Sequence, residues 1–389
     1  MEGLPVTIVA NGFQPYYVTD YVNGLAHNGL KVDLLCSDIY DKAKMDPSIN
    51  FINMRGSHDP DAPLAHKLSR VIRYYLRLLA YSSRTENRVY HIQWFRFNFF
   101  EGVVINLLLK LMGKRIVYTA HNVLPHMQEN TYNRAVFFLI YHIADKIVAH
   151  TEFIRKRIVD EFGVPADKVA VVKHGVYNAR DEASLDRRKA RRLLGLAPDD
   201  KVVLFFGNIT RYKGLDVLIP AVMRSRKAIP GLKLIVAGKV SDSYQDEFDR
   251  LIHPASPDEG VLPMPGFVPD DRVEALFKAS DVTVLPYLEA SQSGVLLLSY
   301  AYGRPVIAPD IGSFRHDVIE GKTGHIFRCN DPEDLAGKIT LFFDGQAESG
   351  SSSEEYIKDY ANIMYSWESI GAELTGIYMR LSGREGGAP

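Results

Sequence analysis

Short apolar runs recur along the chain, each closed by a polar or glycine-bearing loop and followed by a stretch with apolar positions at three- and four-residue steps. The runs read as buried parallel strands and the stretches between them as helices. Pro5 to Ala10 reads as a strand, Asn11-Gly12 as its loop, Val18 to His27 as a helix and Lys31 to Cys36 as the next strand. That order opens a doubly wound domain. Leu64 to Tyr81 sets arginines at 70, 73 and 77 among Leu, Ile and Tyr, an amphipathic helix. Val89 to Gln93, Ile116 to Thr119 and Ile147 to His150 read as further strands, separated by helices near 98–112, 132–143 and 152–161. Val169 to Val172 ends this half at the turn Lys173-His174-Gly175.

Polar residues 178–186 read as a linker, and 184–194 as an arginine-rich helix. The second half then repeats the opening order: strand Val202 to Phe206, loop Gly207-Asn208, helix Leu215 to Arg226, strand Leu232 to Ala237. The chain's most organised stretch is 281–312. A strand, Val282 to Leu285, stops at Pro286; a polar loop, Glu289 to Ser293, offers Ser291 and Ser293 as N-caps. A helix runs from Gly294 to Tyr302, and a second strand from Val306 to Ala308. Such a loop lies at a strand's carboxyl end, where open α/β sheets bind ligands, and it feeds a helix N-terminus suited to phosphate. Arg211 and Lys213 are candidates for the opposing positive charge. Residues 331–343 read as a helix, 345–353 as a flexible polar turn, and 354–381 as a last helix with Trp367, Ile370, Leu374 and Tyr378 on its apolar face. The expected fold is α/β: two doubly wound Rossmann-like domains (1–177 and 178–360) facing a central cleft, plus a C-terminal segment (361–389).

The 389 residues are enough for two cores, and 46% apolar with 24% charged residues is an ordinary globular balance. A net charge of -1 gives no global reason to expect nucleic acid. Two distant cysteines, Cys36 and Cys329, predict neither a disulfide nor a metal site, so a reducing cytoplasm fits. The start of the sequence, MEGLPVTIVA, lacks the basic region and apolar stretch of an export signal. The most apolar segment, 97–112, carries Glu101 and Lys110 and falls short of a span of ~20 residues.

The segments PY-x-EASQSGVLLLSYAYGRPVIAPDIGS (286–313), FFGNITRYKGLDVLI (205–219), LIVAG (234–238), GF-x-PDD-x-V-x-x-LF-x-ASDV (266–282) and GKTGHIF (321–327) together resemble the retaining GT-B glycosyltransferases of family 4. The resemblance implies that a nucleoside-diphosphate sugar, with uracil or guanine as base, binds mainly in the second domain. The acceptor, a glycan or lipid-linked saccharide, would bind mainly in the first, and the last helix would cross back onto the first domain. It assigns Arg211 and Lys213 to the leaving diphosphate, whose growing negative charge fixed cations stabilise without metal. No cofactor is implied. Gly207, Asn208, Gln292, Ser293, Gly294, Val295 and Gly312 would line the sugar-phosphate pocket, and Phe267 and Val268 would flank the base. His121, in TAHN after a strand, would approach the donor; Asn122, Gly12 and His174 lie on the acceptor or hinge side. Glu289 stands one residue from the family's first glutamate, and Leu298 replaces the second, which holds the ribose. His316 stands in place of a further glutamate.

Structural roles are open for several of these: a surface pair for Arg211 and Lys213, a buried ring for His121, a tight turn for Gly12. Asp59-Pro60-Asp61 spells a D-x-D metal motif but reads as a solvated loop. The basic, aromatic region 66–115 reads mainly as core, with an anionic membrane as the partner of any surface patch. Alternatives to transfer are a two-lobed protein that only binds a sugar nucleotide, and an epimerase, for which no paired acid and base carboxylates are evident.

Overall fold

The structure is a computed structural model, and its described residues are 3–12, 14–57, 59, 61–124, 130–177, 185–253, 260–348 and 354–383. They belong to two compact units, Met1–Gly175 with Tyr365–Pro389, and Val176–Met364.

In the first unit the strands are β1 (Pro5–Val9), β2 (Lys31–Cys36), β3 (Asn50–Asn53), β4 (Val89–Ile92), β5 (Arg115–Ala120), β6 (Lys146–Ala149) and β7 (Val169–Val171). Its helices are α1 (Pro15–His27), α2 (Leu64–Arg84), α3 (Asn106–Leu111), α4 (Thr131–Ile143) and α5 (Glu152–Phe162). The strands form one parallel sheet in the order β3-β2-β1-β4-β5-β6-β7. Val6, Ile8, Leu34, Ile116, Val117 and Ile147 expose no surface, as a parallel sheet covered on both faces requires.

The second unit holds β8 (Lys201–Phe206), β9 (Leu232–Gly238), β10 (Val261–Pro265), β11 (Val282–Val284), β12 (Val306–Pro309) and β13 (Gly324–Phe327). Its helices are α6 (Arg187–Leu193), α7 (Leu215–Ser225), α8 (Gln245–Ile252), α9 (Asp270–Ala279), α10 (Gly294–Ala301), α11 (Phe314–Asp317), α12 (Pro332–Glu348) and α13 (Glu354–Met364). The sheet order is β10-β9-β8-β11-β12-β13, again parallel. Strand order reverses between β1 and β4 in one unit and between β8 and β11 in the other, and ligands bind at such switch points.

Several elements differ from expectation. The last helix is two: α13 ends at Met364 and α14 (Trp367–Leu381) starts afresh, because Ser366 Oγ accepts from the amides of Glu368 (3.2 Å) and Ser369 (3.4 Å). Helix α13 packs on α10, whereas α14 returns to α1. The anticipated face of α14 is buried, Trp367 to 8%, Ile370 to 4%, Leu374 to 1% and Tyr378 to 0%. A Cβ on Gly371 would lie 2.3 Å from the Gly24 carbonyl oxygen, so the two helix backbones nearly touch. Helix α12 runs through Gly345 to Glu348, where a turn was expected; residues 349–353 lie outside the described residues, as do 178–184 of the expected linker. Helix α6 begins at Arg187, with the Asp186 carboxylate accepting from Lys189 N at 2.8 Å.

The region 66–115 divides. Tyr74, Tyr75, Leu78 and Phe95 are core, but Leu64, Leu68, Ile72 and Leu76 form an exposed stripe along α2, 56–72% accessible. Among the described residues no helix is long and apolar enough to cross a membrane.

Candidate functional site

At the switch point of the second unit, four loops converge on residues that the motifs pick out. Gly207 (φ 114°) ends β8 so close to β9 that a Cβ on Gly238 would lie 1.8 Å from its carbonyl oxygen. The chain then makes a 3-10 turn, Arg211–Lys213, and Gly214 (φ 71°) lies against Pro286 at the end of β11: a Cβ there would meet the Pro286 carbonyl at 1.8 Å. Only glycine permits this conformation at this distance. Leu288 N donates to Tyr212 O at 2.8 Å and ties the two loops together.

This clasp sets the Lys213 ammonium over the ring of Tyr287, 3.6 Å from its centroid. Burial pulls the ammonium below the usual lysine value, with Tyr212 opposing. Tyr287 is 2% exposed, and its hydroxyl accepts from Ser293 Oγ at 3.3 Å. Ser293 caps α10, accepting from Leu296 N at 3.3 Å. One aromatic ring therefore links the cation to the start of a helix, whose first amides carry a partial positive charge. On the opposite side a Cβ on Gly312 (φ 56°) would stand 2.1 Å from Ala290 O, so the turn after β12 abuts the 289–293 loop. Val295 Cγ2 closes on Gly207, 3.5 Å from where its Cβ would be.

Gly207, Lys213, Ser293, Gly294, Val295 and Gly312 are thus brought together, with Gln292 partly buried in the same loop. Arg211 and Asn208 are exposed on the loop before Lys213, and Arg211 has no ion pair among the described residues. Glu289 points to solvent. Phe267 is 83% exposed, whereas Val268, Val295 and Leu298 each pack against the core cluster that includes Leu204, Ile235 and Phe277. Leu298 is therefore part of an apolar wall. Sequence reasoning gave no role to Tyr287, which seats Lys213, or to Tyr177, whose hydroxyl faces Gly294. The only sequence signal for Tyr287 was its place directly after the strand-ending proline.

In the first unit, His121 follows β5 and stacks on Trp94 with rings 4.1 Å apart and nearly parallel. His150 Nδ1 lies 2.9 Å from the Val172 carbonyl and must donate to it. Its Nε2 then accepts from His121 Nδ1 at 3.2 Å, which leaves His121 Nε2 as a buried acceptor with no partner among the described residues. Burial, then the neighbouring His150, His174 and His91, hold His121 well below the usual histidine range, so it is neutral. His174 is tied locally, donating Nδ1–H to Gly175 O at 2.7 Å, and sits against Tyr17. Asn122 is partly buried beside His121, and Gly12 (φ 81°) turns the chain after β1. Asp59 accepts from Asp61 N at 2.9 Å, closing a turn before α2, and no cluster of three metal-type ligands occurs among the described residues. Cys36 and Cys329 are both free thiols.

Two family profiles match the chain, "Glycosyltransferase Family 4" over residues 14–180 and "Glycosyl transferases group 1" over 186–362. Curated relatives include a D-inositol 3-phosphate glycosyltransferase of Acidothermus cellulolyticus, 32% identical over 60% of this chain and 53% of that protein. The protein of the same name from Geodermatophilus obscurus is 34% identical over 50% of this chain and 45% of that one. The chain spans about half the length of these relatives. Among solved structures, a sucrose-phosphate synthase from Thermosynechococcus elongatus superposes with TM-score 0.75 at 18% identity, covering 98% of this chain and 100% of that one. Anabaena HepE in complex with UDP-glucose gives 0.74 at 17%, covering 97% and 99%. At these identities the likeness is one of fold.

Proposed function

The chain belongs to the group 1, family 4-like glycosyltransferases of GT-B fold, and from that footing we propose that it transfers a hexosyl residue from a nucleoside-diphosphate sugar, UDP- or GDP-linked, to a hydroxyl of a glycan or lipid-linked acceptor. The observation that carries the reading is the partly buried ammonium of Lys213, aligned through Tyr287 with the capped start of α10. A cation withdrawn from water and the partial positive charge at a helix start together match a diphosphate whose negative charge grows as the sugar leaves. Arg211, exposed on the same turn, reaches the diphosphate from the solvent side. Gln292 to Gly294 and Gly312 shape the sugar-phosphate pocket, and Leu298 offers the ribose an apolar wall instead of a carboxylate.

The reaction runs with retention and without a divalent metal. The bond from C1 to the diphosphate oxygen breaks, the acceptor oxygen bonds to C1 from the same face, and the acceptor proton passes to the departing phosphate. His121 Nε2, a buried acceptor with no partner among the described residues, receives a substrate hydroxyl. The UDP-glucose complex of the Anabaena neighbour favours uridine as the first base to test. The exposed stripe of α2, with Arg73 and Arg77 on the same helix, supports peripheral contact with an anionic membrane. Labelled UDP- and GDP-sugars incubated with hydroxyl acceptors test the proposal through released diphosphate and labelled product. Binding without release points to a non-catalytic nucleotide-binding protein, and an altered sugar on intact nucleotide to an epimerase; either result removes the transfer reading.

A further inference from the structure

The first unit contains a second constellation that the donor site does not use. At the carboxyl edge of its sheet lies a cavity of about 470 Å³, within the range of small-ligand sites. Among the described residues its wall carries four cationic side chains, Arg55, Lys67, Arg70 and Arg96, against one carboxylate, Asp59. Arg55 is 6% exposed and held from behind: its Nη2 donates to Glu101 Oε1 and Asn11 Oδ1, each at 2.7 Å, and its guanidinium lies 4.1 Å from the Tyr74 ring centroid. Glu101, on a π-helical turn (Phe100–Ile105), is saturated by its own neighbours. It also accepts from the Tyr75 hydroxyl at 2.7 Å, the Arg96 amide at 2.5 Å and Asn11 Nδ2 at 3.3 Å. The carboxylate therefore orients Arg55, while Arg55 Nε is buried without a partner among the described residues. Asn11, with φ 54°, belongs to the loop at the β1/β4 switch point, where an open sheet takes its ligand.

We propose that this cavity binds a phosphate group, held by Arg55, Lys67, Arg70 and Arg96, and that the acceptor of the transfer is a phosphorylated molecule. The acceptor role rests on the glycosyl-transfer reading; phosphate binding does not. Planar guanidinium groups beside an ammonium suit a tetrahedral oxyanion. The phosphate can belong to a soluble ester or to a lipid headgroup, since Leu68 of the exposed α2 stripe also lines the cavity.

Titration calorimetry of the full chain with glycerol 3-phosphate, and co-sedimentation with phosphatidylcholine vesicles carrying phosphatidic acid, distinguish the two sources. At least one probe binds the wild type. The double variant Lys67→Gln/Arg70→Gln weakens that binding by about tenfold or more, as loss of charge-assisted hydrogen bonds requires. Arg96→Gln, at an exposed position, weakens it with circular dichroism unchanged. Leu68→Gln/Ile72→Gln reduces vesicle binding alone if the source is lipid. UDP binding, measured by thermal shift, is the same in all these variants. The pocket is overturned if neither probe binds the wild type, or if the Lys67/Arg70 variant binds as tightly as the wild type. A wild type that binds phosphate but neither UDP nor GDP removes the transfer reading and leaves the pocket standing.

Discussion

Replacing Lys213 by methionine separates what the ammonium does for the fold from what it does for the reaction. The change keeps an unbranched stem over the Tyr287 ring and removes only the charge. For stability the sign is favourable: burial disfavours the charged form, and Lys213 has no carboxylate ion pair among the described residues. A near volume-conserving swap of this kind changes stability by under about 1.5 kcal/mol. For catalysis the sign is opposite. Removing one preorganised group that faces developing charge costs roughly 3–4 kcal/mol, or 10²–10³ in kcat.

Nucleotide binding gives the second reading. At UDP a hundredfold above its Kd, the wild type gains about 2.7 kcal/mol, and a variant binding a hundredfold more weakly gains about 0.4 kcal/mol at the same concentration. In differential scanning fluorimetry that is a rise of roughly 5–10 °C against about 1–2 °C. The combined expectation is an apo Tm at or above that of wild type with a collapsed UDP shift and turnover down by at least about a hundredfold. Near-normal turnover refutes the diphosphate assignment. A Tm lower by many degrees, with turnover lost only in proportion to folded protein, refutes it as well by showing a structural lysine.

Three further expectations concern other parts of the molecule. Burial lowers His91 to about 3, His150 to about 4 and His174 to about 3, so the unfolded chain binds their protons first as pH falls below about 6.5. Stability present above that pH is lost toward pH 4, at about 2 kcal/mol per ring between pH 6.5 and 5; urea unfolding free energies equal at pH 7 and 5 contradict this. Gly371→Ala drives a methyl group to 2.3 Å from the Gly24 carbonyl and destabilises by about 1–3 kcal/mol. Gly376→Ala on the same helix, whose nearest neighbour is a flexible Arg380 nitrogen at 3.6 Å, stabilises by about 0.5–1 kcal/mol; equal effects at the two sites dispose of the close-packing account. EDTA leaves transfer within about twofold, less than 1 kcal/mol of barrier, whereas a loss rescued by manganese returns Asp59 and Asp61 to consideration.

The central strands were legible because they are buried on both faces and so appear as unbroken apolar runs. β3, β10 and β13 escaped notice for the complementary reason: they lie at sheet edges and carry Asn, Pro or His within four or five residues. The break at Ser366 was hidden because apolar spacing continues across it, and a side-chain cap, not a loss of periodicity, restarts the helix. Around Lys213 and Ser293, glycines and a cap mark local backbone geometry, so those two loops could be located from sequence. The seating of Lys213 on Tyr287 could not, since it depends on how the loops close. The Arg55–Glu101–Asn11 network was invisible for another reason. Its members come from the ends of separate strands and a π-helical turn, 44 to 90 residues apart, and no local pattern relates them.

The return of α14 to the first unit has a consequence for biosynthesis. A ribosome releases Tyr21 and His91 well before the tyrosine hydroxyl they share, that of Tyr378, which emerges 357 and 287 residues later. Throughout elongation the nascent first unit therefore holds an open seam of buried polar groups, with Gly24 as an empty berth. Proteolytic cleavage between Met364 and Trp367 that removes α14 would leave the second unit whole and disable the first, a lesion that mapping by position alone would assign to the wrong half of the protein.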